Sequence, residues 1–589
     1  MERNTLEKFF TGKWFVVPSY QRDYAWEQEN IDDLLTDIEE TIETKTSHYI
    51  GTFILSRTQD EGGYHVVDGQ QRLTTLTMLL NAVIEHLPGE PKIINRYTFI
   101  RDGAKPRWRL ELAEYNREFF TRMLNGEQPQ AESKSQRLLR KAYDYIRGYI
   151  AEKAKNGNAL DLYLNSVKQL EVMEFIETDE GKAIRIFQTV NDRGRPLAVV
   201  EKAKSLLIYY SNRFSNGKHD AQINEAFGDI YRDFSRLKEI GEGDDTKIAL
   251  VAQSAFSEDS VMRYHFLSYD SDYYDFKPTL NYVLDGFLKK TLRAKQGNPD
   301  RLSSFMTSYV TDLRAFFSNF LGVVRRVETE PRYYKLLCVL GLSTHLYPLF
   351  VRLQGRGLLD TAVSKSHQLT FADLIEIADV RIYKTRGTDP AKDISHLAVD
   401  AATASPTTIA SKLSDIVRRF MDDGKFESDL SGDMYSNEAS LHILLEMGEA
   451  WALAQGNPGY SVKLLVELMR SRPTIEHVFA QNPVFAFPSR GFDSQDQYRL
   501  ENNRPGNLSV LEKDLNSRCQ DKTPEQKLQD ASLYKQSAFD VTRALVAEVA
   551  TSGGSFDAKS VESRTTRIAQ FAKKRWPLWS MQSVTAGSE

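Results

Sequence analysis

Three short apolar runs near the N-terminus, at 14–17, 49–55 and 64–67, have the length and the flanking polar turns of strands. Past the third run the period changes. Leu73, Leu76, Leu80 and Val83 recur at helical spacing, so Asp68-Gly69 reads as a turn and an amphipathic helix begins near Gln70. The order strand, loop, helix, strand, strand, helix predicts a small α/β unit over 14–87, extended by helices at 113–124 and 136–154 and a strand at 169–176. From 224 to 426 the pattern is helical, with long amphipathic stretches at 303–327 and 333–353. The polar segments 385–395 and 422–433 predict loops, the second of them a domain boundary. Near the C-terminus two short β-like runs, ending at His477 and covering 508–511, precede a helix, and a last helix is expected at 562–576. The predicted class is α+β and multidomain, divided as 1–223, 224–426 and 427–589.

Composition narrows the classes. A chain of 589 residues exceeds what one hydrophobic core supports, so roughly two to four domains are expected. Nothing at the start resembles a charged n-region followed by an apolar h-region, and no run of about 18 apolar residues occurs, so a soluble, cytoplasmic protein that does not engage membranes is expected. The two cysteines, Cys338 and Cys519, support neither a disulfide framework nor a cysteine zinc site. A net charge of −5 excludes coating nucleic acid by bulk electrostatics, so contact with DNA must be local. Basic clusters lie at 105–109, 134–141, 289–295 and 564–575, each also readable as a solvated helix face.

The first candidate chemistry is YHVVDGQQRLTTL, beginning at Tyr64. Backbone N–H groups at a helix N-terminus, Gly69 allowing close approach, and Arg72 in the first turn suit a phosphate, with Asp68 able to hold a cation beside it. The plainer reading is a capped turn with Arg72 on a solvated face. A second loop, PSYQRDYAW from Pro18 to Trp26, again concentrates Gln, Arg and aromatic residues after a strand, and the two can face one pocket. Together they resemble the ParB-like N-terminal domain of GmrSD-type restriction proteins, whose signature is P-x-Y-Q-R-x-Y-x-W followed by D-G-Q-Q-R. Both parts stand intact, at Pro18, Tyr20, Gln21, Arg22, Tyr24 and Trp26 and at Asp68, Gly69, Gln70, Gln71 and Arg72. The family's F-x-x-x-N-x-R-G-x-P-L phrase with a later Lys is matched by Phe187, Asn191, Arg193, Gly194, Pro196, Leu197 and Lys204, where a helix C-cap at Gly194 is the plainer reading. The resemblance implies that Asp68 to Arg72, Asn191, Arg193 and Lys204 bind a nucleoside triphosphate, GTP or ATP, and that Tyr20, Gln21, Arg22, Tyr24 and Trp26 sense DNA. No G-x-x-x-x-G-K-[ST] occurs, so this nucleotide site is not a P-loop.

The second candidate is TIEHVFAQNP from Thr474 with RPGNLSVLEKDLNSRCQ from Arg504: strand, strand, helix, carrying one histidine and two amides. That order fits a ββα-metal (HNH-like) finger, although a lone His near a polar loop is more simply a surface turn. A neutral imidazole, with its ordinary pKa near 6.5, can take a proton from water at neutral pH. The segment resembles the C-terminal nuclease domain of the same GmrSD-type proteins, through Glu476, His477, Gln481, Gly506, Asn507, Leu508, Leu515, Asn516, Ser517, Lys527, Tyr534 and Ser537. One position departs: Ala480 replaces the usual Pro. The resemblance implies a catalytic set of His477, Asn507, Asn516, Glu476 and Lys527, with His477 as general base and Asn507 and Asn516 holding a divalent metal, Mg2+ or Mn2+, and the loop. The basic residues Arg564, Arg567, Lys573, Lys574 and Arg575 are then a candidate backbone clamp for DNA.

The implied protein is a type IV restriction endonuclease that uses an NTP and cleaves or nicks modified double-stranded DNA bearing glucosylated or hydroxymethylated cytosine in phage defence, with a homodimer as a possible assembly. Phosphorothioate-sensing defence proteins, a nucleotide-switched DNA binder with a degenerate finger and an RNA-directed toxin are the alternatives.

Overall fold

A computed structural model of the chain describes residues 2–18, 21, 23–44, 47–86, 99–100, 107–155, 159–178, 198–270, 279–364 and 369–579. They fall into two compact units, Met1–Glu239 with Leu280–Arg314, and Ile240–Thr279 with Ala315–Glu589. The expected middle segment, 224–426, is shared between them.

In the first unit the apolar runs become a mixed sheet of six strands, the main exception in a mostly helical chain. The strands are β1 (Glu2–Thr5), β2 (Trp14–Val16), β3 (Tyr49–Arg57), β4 (Gly63–Asp68), then β5 (Phe99–Ile100) and β6 (Arg107–Trp108), which pair only with each other, β7 (Leu110–Glu111) and β8 (Glu171–Glu177). The main sheet runs β1-β8-β3-β4-β2-β7. β1 is antiparallel to β8 and β3 to β4, whereas β3–β8, β2–β4 and β2–β7 are parallel. Strands β1, β5, β6 and β7 are too short to carry a periodic signal of their own.

Helix α1 (Leu6–Phe10) sends Phe9 and Phe10 into the core against Phe15 and Phe53, α2 (Gln28–Thr44) adds Ile31, Leu34, Leu35 and Ile38, and α3 (Gln70–Glu85) follows β4 directly. The α3 start at Gln70 is where the periodicity puts it. Its amphipathic character is not: fourteen of its sixteen residues are buried, so it is a central helix rather than a surface one. Thr74, Thr75 and Thr77 can be buried because each hydroxyl donates to the carbonyl four residues earlier, and Asn81 donates to Leu124 O and Tyr143 Oη.

The second unit is helical apart from two strand pairs, β9 (Ala362–Ser364) with β10 (Leu369–Thr370) and β11 (Thr474–His477) with β12 (Leu508–Leu511). Two expectations fail here for local reasons. The stretch 333–353 is not one helix, because Gly341 takes φ +69 and the chain restarts at Tyr347–Gly355. The expected loop 422–433 is mostly a helix, Asp423–Leu430, whose N-cap Asp422 accepts from Lys425 N; a Gly/Asp/Ser-rich composition hid a capped helix. Among the described residues no helix is long and apolar enough to cross a membrane, and both cysteines are free thiols.

Candidate active site

The N-terminal motifs meet. Gln21 Nε2 donates to Val67 O (2.9 Å) at the end of β4, Gln71 Nε2 donates to Asp23 O (3.0 Å) while its Oε1 accepts from Ala25 N (2.8 Å), and the Tyr24 hydroxyl bonds Thr75 Oγ1 (2.8 Å). The loop is thus stitched to the first turns of α3. Gly69 caps that helix at φ +93, where a Cβ would lie 2.5 Å from the Phe53 ring, so glycine is required on both counts. Gly69, at the cap position, brings no side-chain cap to the helix.

Arg72 is committed to its own backbone. Nη1 donates to Ile50 O (2.8 Å) and Nη2 to Thr52 O (3.0 Å), with the guanidinium over the Phe53 ring and 3.9 Å from Asp68. It straddles Gly51, whose Cβ, if it had one, would lie 1.5 Å from Nη1. Tyr24 is buried and Trp26 half-buried against the core, so Tyr24 supports the loop from inside and does not present a face to a base. Gln70 and Lys204 are buried as well. Tyr20, Arg22, Asn191 and Arg193, with Phe187, Gly194, Pro196 and Leu197, lie outside the described residues. Burial pushes the Asp23 carboxyl up to about 6, against the pull of Arg232 and a hydrogen bond from Asn116.

The C-terminal motif builds a hairpin followed by the helix Lys513–Cys519, with His477 paired to Leu508 in the β11–β12 register. Two asparagines wrap the loop after His477. Asn507 Oδ1 accepts from Phe479 N (2.8 Å) and its Nδ2 donates to Phe479 O (3.1 Å) and Asn502 O (2.8 Å); Asn502 Nδ2 donates to Phe479 O and Ala480 O. The Tyr498 hydroxyl also donates to Ala480 O. These bonds fix the loop without the proline that Ala480 replaces.

His477 is buried. Its Nε2 lies 2.9 Å from Asn503 Oδ1, and the Tyr435 ring covers the imidazole at 4.2 Å between centroids. Burial holds its pKa below the ordinary histidine value, with the Asn503 hydrogen bond opposing and Lys527 reinforcing the shift, so the ring is neutral at neutral pH. Glu476 is buried beside it, and Lys527 Nζ donates both to Glu476 Oε1 (2.7 Å) and to His477 O (2.7 Å). Desolvation still leaves the Glu476 carboxyl above its usual range. Asn516 Nδ2 donates to Thr474 Oγ1 (2.8 Å). Strand alternation puts Thr474 and Glu476 on one face and His477 on the other, so Asn516 falls on the Glu476 side.

The donor set fits a hard divalent cation only in part. The Glu476 carboxylate and the Asn516 amide oxygen are suitable oxygen ligands, whereas both ends of the Asn507 amide are turned into the loop, which makes Asn507 a clamp and removes it from the metal set. Two other groups bring His and carboxylate atoms within 4.8 Å of one another, Asp37/Glu40/His48 at the surface and Glu376/His442/Glu446 in the interior. The interior carboxylates already receive Arg575, Lys335, His442 and Trp576, a network that fastens the last helix to the helical core.

That last helix, Ala558–Arg575, corrects the expected DNA clamp. Arg564 is buried and its Nη1 donates to the carbonyls of Pro505 (3.2 Å), Gly506 (2.9 Å) and Leu508 (2.5 Å); Arg567 pairs with Glu548, Lys573 with Glu427, and Arg575 with Glu376 and Glu446. These four cations face protein partners, and Lys574 alone of the five is exposed without a described one. Helical spacing reveals a basic face but not which side packs. Asn503 is the residue that sequence reasoning missed: it stands 26 positions from His477, and the E-N-N-R run gave no spacing to recognise.

No curated protein matches the chain. The family model for the GmrSD restriction endonuclease N-terminal domain matches residues 6–208, covering the stitched loop and the sheet except β1, and the model for the GmrSD restriction endonucleases C-terminal domain matches 420–571, covering the hairpin and most of the last helix. With more than half of the 589 residues matched, in the order N-terminal then C-terminal domain, the chain belongs to the GmrSD family of restriction endonucleases.

Proposed function

We propose that this restriction endonuclease nicks or cuts DNA at the β11–β12 hairpin with His477 as general base. The observation that carries the reading is His477 itself, a buried, neutral imidazole held by a side-chain amide at the end of a strand whose next loop is clamped by Asn507. The imidazole takes a proton from water, the water oxygen bonds to phosphorus, and the bond from phosphorus to one ester oxygen breaks. Lys527 keeps Glu476 and the His477 carbonyl in place, so that the base does not drift. Glu476 and Asn516, on the strand face opposite His477, would hold Mg2+ or Mn2+, which would supply a Lewis acid.

In the N-terminal domain, the start of α3 at Gly69 binds the phosphates of GTP or ATP, Asp68 holds a cation beside them, and Asn191, Arg193 and Lys204 contribute. Gln71 and Arg72 support this pocket through their bonds to backbone, and Tyr20, Gln21 and Arg22 sense modified DNA, glucosylated or hydroxymethylated at cytosine. Support comes from the family resemblance of both motifs and from the hydrogen bonds that join them.

The test is digestion of supercoiled plasmid and of modified and phosphorothioate DNAs with Mg2+ or Mn2+, each with and without GTP or ATP. Metal-dependent nicking that His477→Ala reduces by about 10²-fold or more is expected; a wild-type rate in His477→Ala sinks the base assignment. A second reading, binding without cutting, is favoured by one observation: Lys527 already neutralises Glu476. Absence of nicking on every DNA with either metal, alongside NTP-dependent binding, would decide for it.

A further inference from the structure

Beside the nuclease hairpin, the segment Asp433 to Tyr435 reaches the histidine through Asn503. Asn503 Nδ2 donates to Asp433 Oδ2 (2.7 Å), Asn503 Oδ1 faces His477 Nε2 (2.9 Å), and Asn503 O accepts from Met434 N (2.9 Å). Asp433 is itself fixed, because its Oδ1 accepts from Tyr435 N (3.1 Å), and the Tyr435 ring then lies on the imidazole.

We propose that Asp433 and Asn503 form a positioning relay that sets the tautomer of His477, so that Nδ1 is the atom that accepts the proton from water. The inference rests on the reading of His477 as the base. An amide has one donor end and one acceptor end. A carboxylate accepts only, so Asp433 takes the NH2 end and leaves Oδ1 toward the ring. Turning the amide over would set Oδ1 against the carboxylate, acceptor against acceptor, and lose the Asp433 bond. Because Oδ1 cannot donate, Nε2 carries the hydrogen, and a neutral ring protonated there has its only lone pair at Nδ1. The Asp433 carboxylate is exposed, so its contribution is directional rather than a strong field at the ring. Tyr435 restricts ring rotation from the side. Asn503 and Asp433 touch neither DNA nor the reacting atoms; they act through His477.

The experiment measures plasmid nicking by the full chain at saturating metal, resolved into kcat and KM for DNA, for Asn503→Ala, Asp433→Ala, Asp433→Asn and the double variant Asn503→Ala/Asp433→Ala. Asn503→Ala is expected to lower kcat by about 10- to 100-fold with KM for DNA unchanged. Asp433→Ala should lower kcat several-fold, Asp433→Asn should recover most of that loss because its amide oxygen still accepts, and in the Asn503→Ala background Asp433→Ala should cost nothing further. The histidine 15N spectrum, with the His477 signal identified by its loss in His477→Gln, should show the Nε2–H form in wild type and a mixture in Asn503→Ala. Loss of kcat in Asp433→Ala that adds in full to that of Asn503→Ala, or an Nδ1–H signal in wild type, overturns the relay. Should Asn503→Ala fail to fold, the contrast at exposed Asp433 between Ala and Asn still decides, equal rates counting against. An inactive His477→Ala with Asn503→Ala at wild-type kcat removes the relay alone; a fully active His477→Ala removes the base reading beneath it.

Discussion

The two motif regions spend the same kinds of polar side chain in opposite ways. At the start of α3, Arg72, Gln71, Gln21 and Tyr24 turn inward and bond backbone or core hydroxyls, so the motif's polar groups are mostly construction. At the hairpin, construction is assigned to Asn502, Asn507 and Arg564, which leaves His477 oriented by a single hydrogen bond and Glu476 by a single cation. A motif residue is therefore not a ligand-contacting residue by virtue of its place in the motif. In the first region what remains for a phosphate is backbone; in the second it is side chain.

Four measurements press on that contrast. Lys527→Ala strands Glu476 in the interior and should cost about 3–5 kcal/mol of stability in the second unit. Mn2+ should then raise the melting temperature of this variant more than that of wild type, because the cation replaces the lost charge; equal shifts would remove Glu476 from the metal set. Arg72→Ala loses two charge-assisted bonds to β3 and should destabilise the first unit by about 2–4 kcal/mol. If instead the unit melts as wild type and only NTP affinity falls, Arg72 is a ligand and the contrast is broken.

Asp23→Asn tests the stitched loop by pH. The folded carboxyl sits at about 6, above its unfolded value near 3.9, so the folded state binds the extra proton between those values. Stability of the wild-type first unit should therefore fall as pH rises from about 4 through about 6. The variant should lack that slope, so that relative to wild type it gains up to roughly 3 kcal/mol between pH 4 and pH 7; a parallel pH profile would mean Asp23 is solvated. The smallest effect is expected at Arg567, whose pair with Glu548 is half exposed: Arg567→Ala should change stability by less than about 1 kcal/mol and leave DNA affinity unchanged. A large loss of DNA binding would restore the clamp on the last helix.

What could be read from the sequence was what repeats or punctuates. The α3 start at Gln70 follows from periodicity meeting Asp-Gly, and β11 and β12 from short apolar runs beside recognisable polar phrases. Hidden were features decided by a single dihedral or by distance in three dimensions. Gly341 ends a helix whose apolar spacing continues past it, and Asp422 begins one inside a polar tract. The partners of His477 come from positions 433, 435 and 503, so no local spacing announces them. Basic residues at 564, 567, 573 and 575 advertised charge, but only packing shows that each already has a protein partner.

Arg564 also imposes an order of events. The carbonyls it grips, at Pro505, Gly506 and Leu508, precede it by 56 to 59 positions, so a ribosome delivers the whole histidine hairpin before it delivers the group that closes it. A polypeptide interrupted before Ala558 would contain every residue of the nuclease phrase and still have an open hairpin, and its nicking should be undetectable.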